Sequence, residues 1–406
     1  MELTYSRQQE QQTLVANTAW NMPWYIYTAL LATTSIITGL IWDISWHLSI
    51  GRDGLFSPPH LLIYLGGVLG GIGGGYLMIK TTFFGSQAEK AKGVWFWGFR
   101  SPLSALFLVW GALAMLTSAP FDDWWHNAYG LDVKILSPPH ALLAMGMLVI
   151  QLGAVIQLLT YQNVLKSEYE AANYEQKLIL DKKFKRVKLM YVYTVGMLIA
   201  ILGVVLTEYM NPNVAHASTY YKVGGFIFPL FMVSAGRASG LKFPITIAAL
   251  FYTGINLFML WFLPLFPAEP LLGPVVNEIT HYVPFEFPHL LIVPAVLLDL
   301  YRNKTSFNND WINAALMGTI FFVSFFVTQR YFSEFLLSDY AKNWVFAADA
   351  VAYNWNPDWQ YRFEFYPWRA EEFPVLMKGL AIALGITILS SRLALLWGDW
   401  MRAVKR

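Results

Sequence analysis

Apolar stretches close to the length of a membrane span recur along this chain from about Trp24 to about Gly398, and nothing else in the sequence constrains it as much. A helix needs about 20 mostly apolar residues to cross a hydrocarbon core. Such stretches lie near 24–44, 59–79, 102–121, 138–160, 189–209, 223–238, 244–266, 286–301, 312–328 and 374–396. The expected fold class is all-α, a polytopic membrane helical bundle. The count is about ten transmembrane helices, with a range of roughly nine to twelve because the sixth and eighth stretches are short.

Composition supports a membrane unit. Of 406 residues, 13% are charged and 56% hydrophobic, with a mean hydropathy of +0.43. A soluble domain carries about 25% charge. A soluble enzyme, a disordered scaffold and a secreted disulfide module are therefore excluded. The chain has no cysteine, which removes iron–sulfur clusters, thiolate zinc and thiolate haem. Any metal must be held by His, carboxylate, amide or Met. A net charge of +2 gives no reason to expect nucleic acid as a partner.

Lys and Arg concentrate on the cytoplasmic side of membrane proteins. With the polar segment 1–21 inside, Lys80 to Arg100, Lys182 to Lys188, Arg237 with Lys242, Arg302 with Lys304, and Arg402 to Arg406 all fall inside. That places 20 of the 28 basic residues on one face and 8 on or near the other. Both termini are expected in the cytoplasm of an inner-membrane protein. The charged stretch 161–188 reads as a cytoplasmic linker between a four-helix front part, 1–160, and a second helical part, 189–406. The aromatic and polar stretch from Arg330 to Phe373 reads as an interfacial cap or a docking surface.

The seven histidines are His47, His60, His126, His140, His216, His281 and His289, and under this topology each falls at the outer end of a span or in an outer loop. Ionisable groups at membrane depth are costly and point to function. The front part also carries a repeat. Asp43-x3-His47 is followed by Arg52-Asp53 and Ser57-Pro58-Pro59-His60. Some eighty residues later come Asp122-Asp123-Trp124-Trp125-His126, Asp132 and Ser137-Pro138-Pro139-His140. Each Asp and His four apart share a helical face, and Pro is tolerated in the first turn of the next helix. Two antiparallel helices can thus bring a carboxylate and two imidazoles to one point. Three ligands with open positions suit a catalytic metal, and imidazole with carboxylate fits copper, iron or zinc.

Arg52, Asp53, Asp123 and Asp132 are candidates to orient those ligands from behind, the alternatives being a loop ion pair or a solvated charge. His281 and His289, with Glu278 and Glu286, form a weaker metal candidate of undiagnostic spacing. His216, after Thr207-Glu208, reads as a loop residue. The glycines from Gly66 to Gly75 read as a close-packing face of the second span.

At Asp43, His47 and His60 the sequence resembles the copper membrane monooxygenases, specifically the C subunit of particulate methane and ammonia monooxygenases. The spacing Asp-x3-His-x12-His is that subunit's copper site, and the surrounding Trp46-His47-x4-Arg52-Asp53-x2-Phe56-Ser57-Pro58-x-His60 is similar as well. Asp122, His126 and His140 match the spacing of the family's neighbouring site, with Asp where the family has Asn. The likeness covers about residues 20–160. Phe285-Glu286-Phe287-Pro288, Pro294 and Asp299 are faintly similar to the A subunit.

The resemblance implies one or two copper ions, the second site leaving iron and zinc open. It implies O2 activation at these Asp/His/His sites, near the periplasmic face, to oxidise a small apolar substrate, with quinol as reductant. It also implies a separate periplasmic cupredoxin-like subunit, further membrane subunits and surrounding lipids. Two other classes fit the residues: a metal or proton transporter whose Asp/His pairs form a relay, and a haem b electron-transfer protein with facing histidines.

Overall fold

In lipid a spanning segment must satisfy every backbone N–H and C=O internally, so long apolar runs become helices. The computed structural model describes residues 22–51, 54–130, 137–305, 307–359 and 369–405. Its elements in chain order are α1 (Trp24–Ser49), α2 (Pro58–Ile79, prolonged to Phe84 by a π turn), α3 (Gln87–Lys92), β1 (Val94–Phe96), β2 (Phe99–Ser101), α4 (Leu103–Tyr129) and α5 (Pro138–Ala171). There follow α6 (Tyr174–Val205), α7 (Thr207–Met210), α8 (Ser218–Ala238), α9 (Pro244–Phe262), α10 (Ile292–Lys304), α11 (Asp310–Leu336) and α12 (Phe373–Ala403). The two short strands form one antiparallel hairpin, Val94 opposite Ser101. The chain is an all-α membrane bundle.

Among the described residues, eight helices are long and apolar enough to cross a membrane: α1, α2, α4, α5, α6, α9, α11 and α12. Two of the ten expected spans depart from that standard. The stretch 223–238 is helical as part of the 21-residue α8, but Lys222 and Arg237 near its ends dilute its apolar character. The stretch 286–301 is helical only from Ile292, and α10 has 13 residues. At 1.5 Å per residue that is about 20 Å, short of the ~30 Å hydrocarbon core. The chain before it, from Phe266 to Leu291, is irregular.

The charged stretch 161–188 is itself helical. The helix α5 runs on to Ala171 and α6 begins at Tyr174, so the charges ride on two helices joined by a tight turn. Asn173 starts α6 with a reciprocal capping box to Gln176. The pairs Lys166–Glu170 and Lys185–Asp181 stand four residues apart and support the exposed ends as helix.

The front part is two antiparallel hairpins, α1/α2 and α4/α5, joined by packing of α2 on α4. The glycines of α2 make both contacts close. A Cβ at Gly66 would stand 2.9 Å from the Ala32 carbonyl of α1, and one at Gly74 2.9 Å from the Ala105 carbonyl of α4. One buried cluster runs through front and back alike, from Ile36 and Met115 to Phe228 and Phe325. In the back part α8 lies beside α12. The Ser218 N–H and hydroxyl donate to Glu371 at one end, and Arg237 donates two hydrogen bonds to Asp399, 2.7 and 3.1 Å, at the other. That order of partners makes the two helices parallel.

Since α1 and α4 end where α2 and α5 begin, both Asp/His/His sets lie at one end of the bundle. Irregular segments of the back part cover the end of α1. Leu271 N–H donates to Ile50 O (2.9 Å), Tyr353 N–H to Leu48 O (3.2 Å) and Val283 N–H to Ser49 Oγ (2.7 Å), while Ser45 Oγ donates to Val283 O (2.6 Å).

Candidate metal centre

The residues that build the second set follow from local sequence. Asp122 and His126 sit one turn apart in the last turns of α4, and Gly130 ends that helix with φ +89°. A left-handed conformation favours glycine, and it turns the Gly130 carbonyl back to His126 Nδ1 at 3.2 Å. Across the connection, the Ser137 hydroxyl accepts the His140 N–H, capping α5 and setting His140 in its first turn behind Pro138 and Pro139.

The three side chains converge. His126 Nε2 is 3.4 Å from Asp122 Oδ2, and His140 Nε2 is 3.4 Å from Asp122 Oδ1. One ligand atom from each residue can be chosen so that all three lie within 4.8 Å of one another. Two donors about 2.0–2.2 Å from one cation stand roughly 3.0–3.6 Å apart; each His–Asp contact matches that, one on each carboxylate oxygen, whereas the three-atom set spans up to 4.8 Å. Asp122 Oδ1 is buried and accepts no hydrogen bond, which is costly for a carboxylate oxygen. If His126 Nδ1 donates to the Gly130 carbonyl, its Nε2 presents a lone pair towards the carboxylate. Two such electron-rich atoms need a cation, either a proton or a metal ion, between them. A histidine that gives its other ring N–H to a backbone carbonyl is the usual support of a metal ligand.

The first set repeats the plan more loosely. His60 Nε2 lies 3.2 Å from Asp43 Oδ1, His47 Nε2 lies 3.9 Å from Asp43 Oδ2, and His60 Nδ1 lies 3.0 Å from the Gly54 carbonyl. Asp43 Oδ1 is also buried without a hydrogen bond. The His47 side chain is 48% exposed against 14% for His60, so Asp43 with His60 forms the tight pair and His47 must move inward to complete a triad.

Other sequence candidates are placed as follows. Arg52, Asp53 and Asp132 lie outside the described residues. Asp123 is exposed and receives Asn127 Nδ2 at 3.4 Å. Glu278 is exposed, and His281 meets Thr280 Oγ1 through Nδ1 at 3.0 Å. His289 meets the buried Tyr220 hydroxyl at 3.2 Å instead, so His281 and His289 serve different neighbours. His216 stands 3.5 Å from Glu334 and accepts from Arg330. Burial, then the Arg330 guanidinium, pushes the His216 imidazole down to about 4.

Sequence reasoning missed the carbonyls of Gly54 and Gly130. A glycine four residues past His126 was the available signal, because a helix that stops there can aim its carbonyl at the ring. Comparison of the chain with family models, with curated proteins and with solved structures returns no match.

Proposed function

We propose that this chain is the membrane subunit of a copper-dependent, monooxygenase-like complex that oxidises a small apolar substrate with O2. The single observation that carries the reading is the convergence of Asp122, His126 and His140, one imidazole on each carboxylate oxygen, with Asp122 Oδ1 buried and without a hydrogen bond. The recurrence of the design at Asp43, His47 and His60 adds to it. Asp122 would be the anionic donor and His126 and His140 the neutral ones. The same roles fall to Asp43, His60 and His47. Copper, when bound, supplies the one-electron chemistry that O2 activation needs; iron or zinc at the second site fits the same donors.

The protein's own contribution is orientation. The Gly130 and Gly54 carbonyls fix one ring in each set, so that Nε2 faces the carboxylate. The Asp for Asn exchange at position 122 adds a negative charge that favours a more highly charged cation. In this proposal the Asp/His/His end of the bundle faces the periplasm, where a cupredoxin-like subunit would dock. Further membrane subunits complete the complex, and quinol is the reductant. Counting α8 and α10 as passes gives ten crossings and returns both termini to the cytoplasm. A haem b reading is disfavoured because the Asp122 carboxylate occupies the space between His126 and His140 that a macrocycle would need.

The test is metal analysis of the purified protein together with His126→Ala/His140→Ala and His47→Ala/His60→Ala variants. Copper that falls stepwise with each pair supports two sites. Wild-type protein that neither carries copper nor takes it up refutes the enzyme reading, and the Asp/His pairs then belong to a proton or metal relay.

A further inference from the structure

The connection between α2 and α4, at the end of the bundle opposite the Asp/His/His sets, turns back towards the membrane. Strand β2 leads from the turn at Trp97 and Gly98 to Ser101, and α4 starts two residues later at Leu103. The rings of Phe96 and Trp97 meet Trp110 edge-on, with centroids 5.5 and 5.6 Å away. Trp110 stands about 10 Å along α4 from Leu103, so the hairpin tip folds back beside the first turns of the helix. Between Arg100 and Asp122 the chain carries no charged residue. Residues 103–121 of α4 span about 28 Å, close to the ~30 Å of a hydrocarbon core. The core therefore begins near Leu103, and the tip lies at or below the level of the lipid headgroups.

The turn itself is unusual. Trp97 has φ +46° and Gly98 φ +83°. Two left-handed residues suit a tight hairpin, but Asn, Asp or Gly is the usual first one, and a bulky side chain there is an outlier. Trp97 is 76% exposed, so burial inside the protein does not offset that conformation. A ring held at the membrane boundary would, since Trp favours that zone.

The two faces of the hairpin differ. Directly paired residues share a face. Phe96 and Phe99 pair on the inner one, Phe96 against Trp110 and Phe99 against Phe83 of the π turn at 6.4 Å. Trp95 and Arg100 pair on the outer one, and both are exposed. Arg100 is fixed in place: Thr82 Oγ1 accepts its N–H at 3.0 Å, and its Nη1 donates to Lys90 O at 3.1 Å. Residues 80–101 carry Lys80, Lys90, Lys92 and Arg100 against one acid, Glu89. That acid caps α3, its Oε2 accepting the Ser86 N–H at 2.7 Å.

We propose that the β1/β2 hairpin is a lipid-reading element. Its Phe96–Trp97 tip inserts into the leaflet at the basic end of the bundle, and Arg100, with Lys80 and Lys92 on the flanking turns, takes the phosphate of an anionic phospholipid. The rings answer to the acyl boundary, and the guanidinium offers phosphate a planar fork of donors. The surplus of basic residues selects a headgroup of net negative charge, each Lys or Arg near the surface adding about 5-fold in affinity. This role is independent of any metal at the Asp/His/His sets.

The chain has no cysteine, so Trp97→Cys in the full chain gives a single position for a fluorophore. The labelled protein is placed in vesicles of phosphatidylcholine and phosphatidylglycerol and quenched by nitroxide-labelled forms of either lipid or by aqueous iodide. The fluorophore at 97 is expected to be quenched by lipid and not by iodide, and one at Ala88→Cys on α3 by iodide. Phosphatidylglycerol is expected to quench position 97 at lower mole fraction than phosphatidylcholine, and Arg100→Gln or Lys92→Gln to lower that preference by about 5-fold each. A fluorophore at 97 that iodide reaches, or that neither quencher reaches, overturns the insertion. Equal quenching by the two lipids, or a preference undiminished in both Gln variants, overturns the headgroup assignment. Should Trp97→Cys fail to fold, Trp95→Cys on the outer face takes its place with the same outcomes.

Discussion

Removing the Asp122 carboxylate separates a metal centre from a proton-sharing cluster. Asp122 makes both close approaches in its set, 3.4 Å to each imidazole, and it is the sole anionic donor. Losing a group that merely supports a ligand costs about 10–100-fold in metal affinity. Loss of the ligand itself in Asp122→Ala should therefore weaken binding by about 100-fold or more, ~2.8 kcal/mol. Thermal unfolding reads this directly, since a metal that binds only the folded chain stabilises it by RT ln(1 + [L]/Kd). At a free metal concentration about 100 times the wild-type Kd, the wild type gains ~2.7 kcal/mol. With Kd raised 100-fold, the Asp122 set of the variant contributes only ~0.4 kcal/mol at the same concentration, whatever the Asp43 set adds being common to both proteins. The measurement is unfolding of chelator-stripped protein in detergent, with and without Cu2+, checked by competition against a chromophoric chelator. Asp122→Asn, the residue of the resembling family, should fall between the two. Equal metal-induced shifts in wild type and Asp122→Ala would refute the ligand assignment, leaving a cluster held by shared protons.

Three further outcomes follow from the geometry. At the first set His60→Ala should remove more metal than His47→Ala, because His60 is closer to Asp43 and less exposed; metal analysis of the two variants decides it, and the reverse order would mean that His47 closes fully onto the ion. Gly66→Ala should destabilise by about 1–3 kcal/mol through overpacking, seen as a lower unfolding temperature, whereas Gly75→Ala meets nothing within 4 Å and should be neutral or better. The imidazole of His216 is held down at about 4, so the unfolded chain binds the extra proton between about pH 6.5 and 4, and that contribution is present above the unfolded value and lost as pH falls. Its size is at most about 3 kcal/mol before discounting for partial exposure, and His216→Gln should flatten the stability profile in that window.

Helices and the Asp122 cluster were legible for different reasons. Apolar length alone announces a span, so the eight qualifying helices stand where the sequence put them. The Asp-x3-His and Ser-Pro-Pro-His spacings are local, and helix geometry converts them into convergence without any knowledge of the rest of the fold. What was not legible depends on partners distant in sequence. Whether 286–301 is helical turns on Tyr252 and Gln329 accepting the N–H groups of His289 and Leu290, which lets the backbone stay unwound. The charged stretch 161–188 reads by its polarity as a linker, and its ion pairs and capping box support it as two helix ends.

The two repeats differ most in what covers them, and this bears on which set is adjustable. At the first, Ser45, Ser49 and Ile50 are buried under Val283, Leu271 and Tyr353. Gly51, at φ +81°, lies so close to the Tyr353 ring that a Cβ would overlap it. The residues in register in the second repeat, Trp124, Ala128 and Tyr129, are exposed, Trp124 to 54% and Tyr129 to 68%. A clamp from the back part thus fixes the end of α1 while the end of α4 is uncovered by the described residues. Gly51→Ala should therefore disturb the first set through the clamp, lowering its metal content while the Asp122 set keeps its own. Loss from both sets together would show that the clamp supports the whole front part rather than one site.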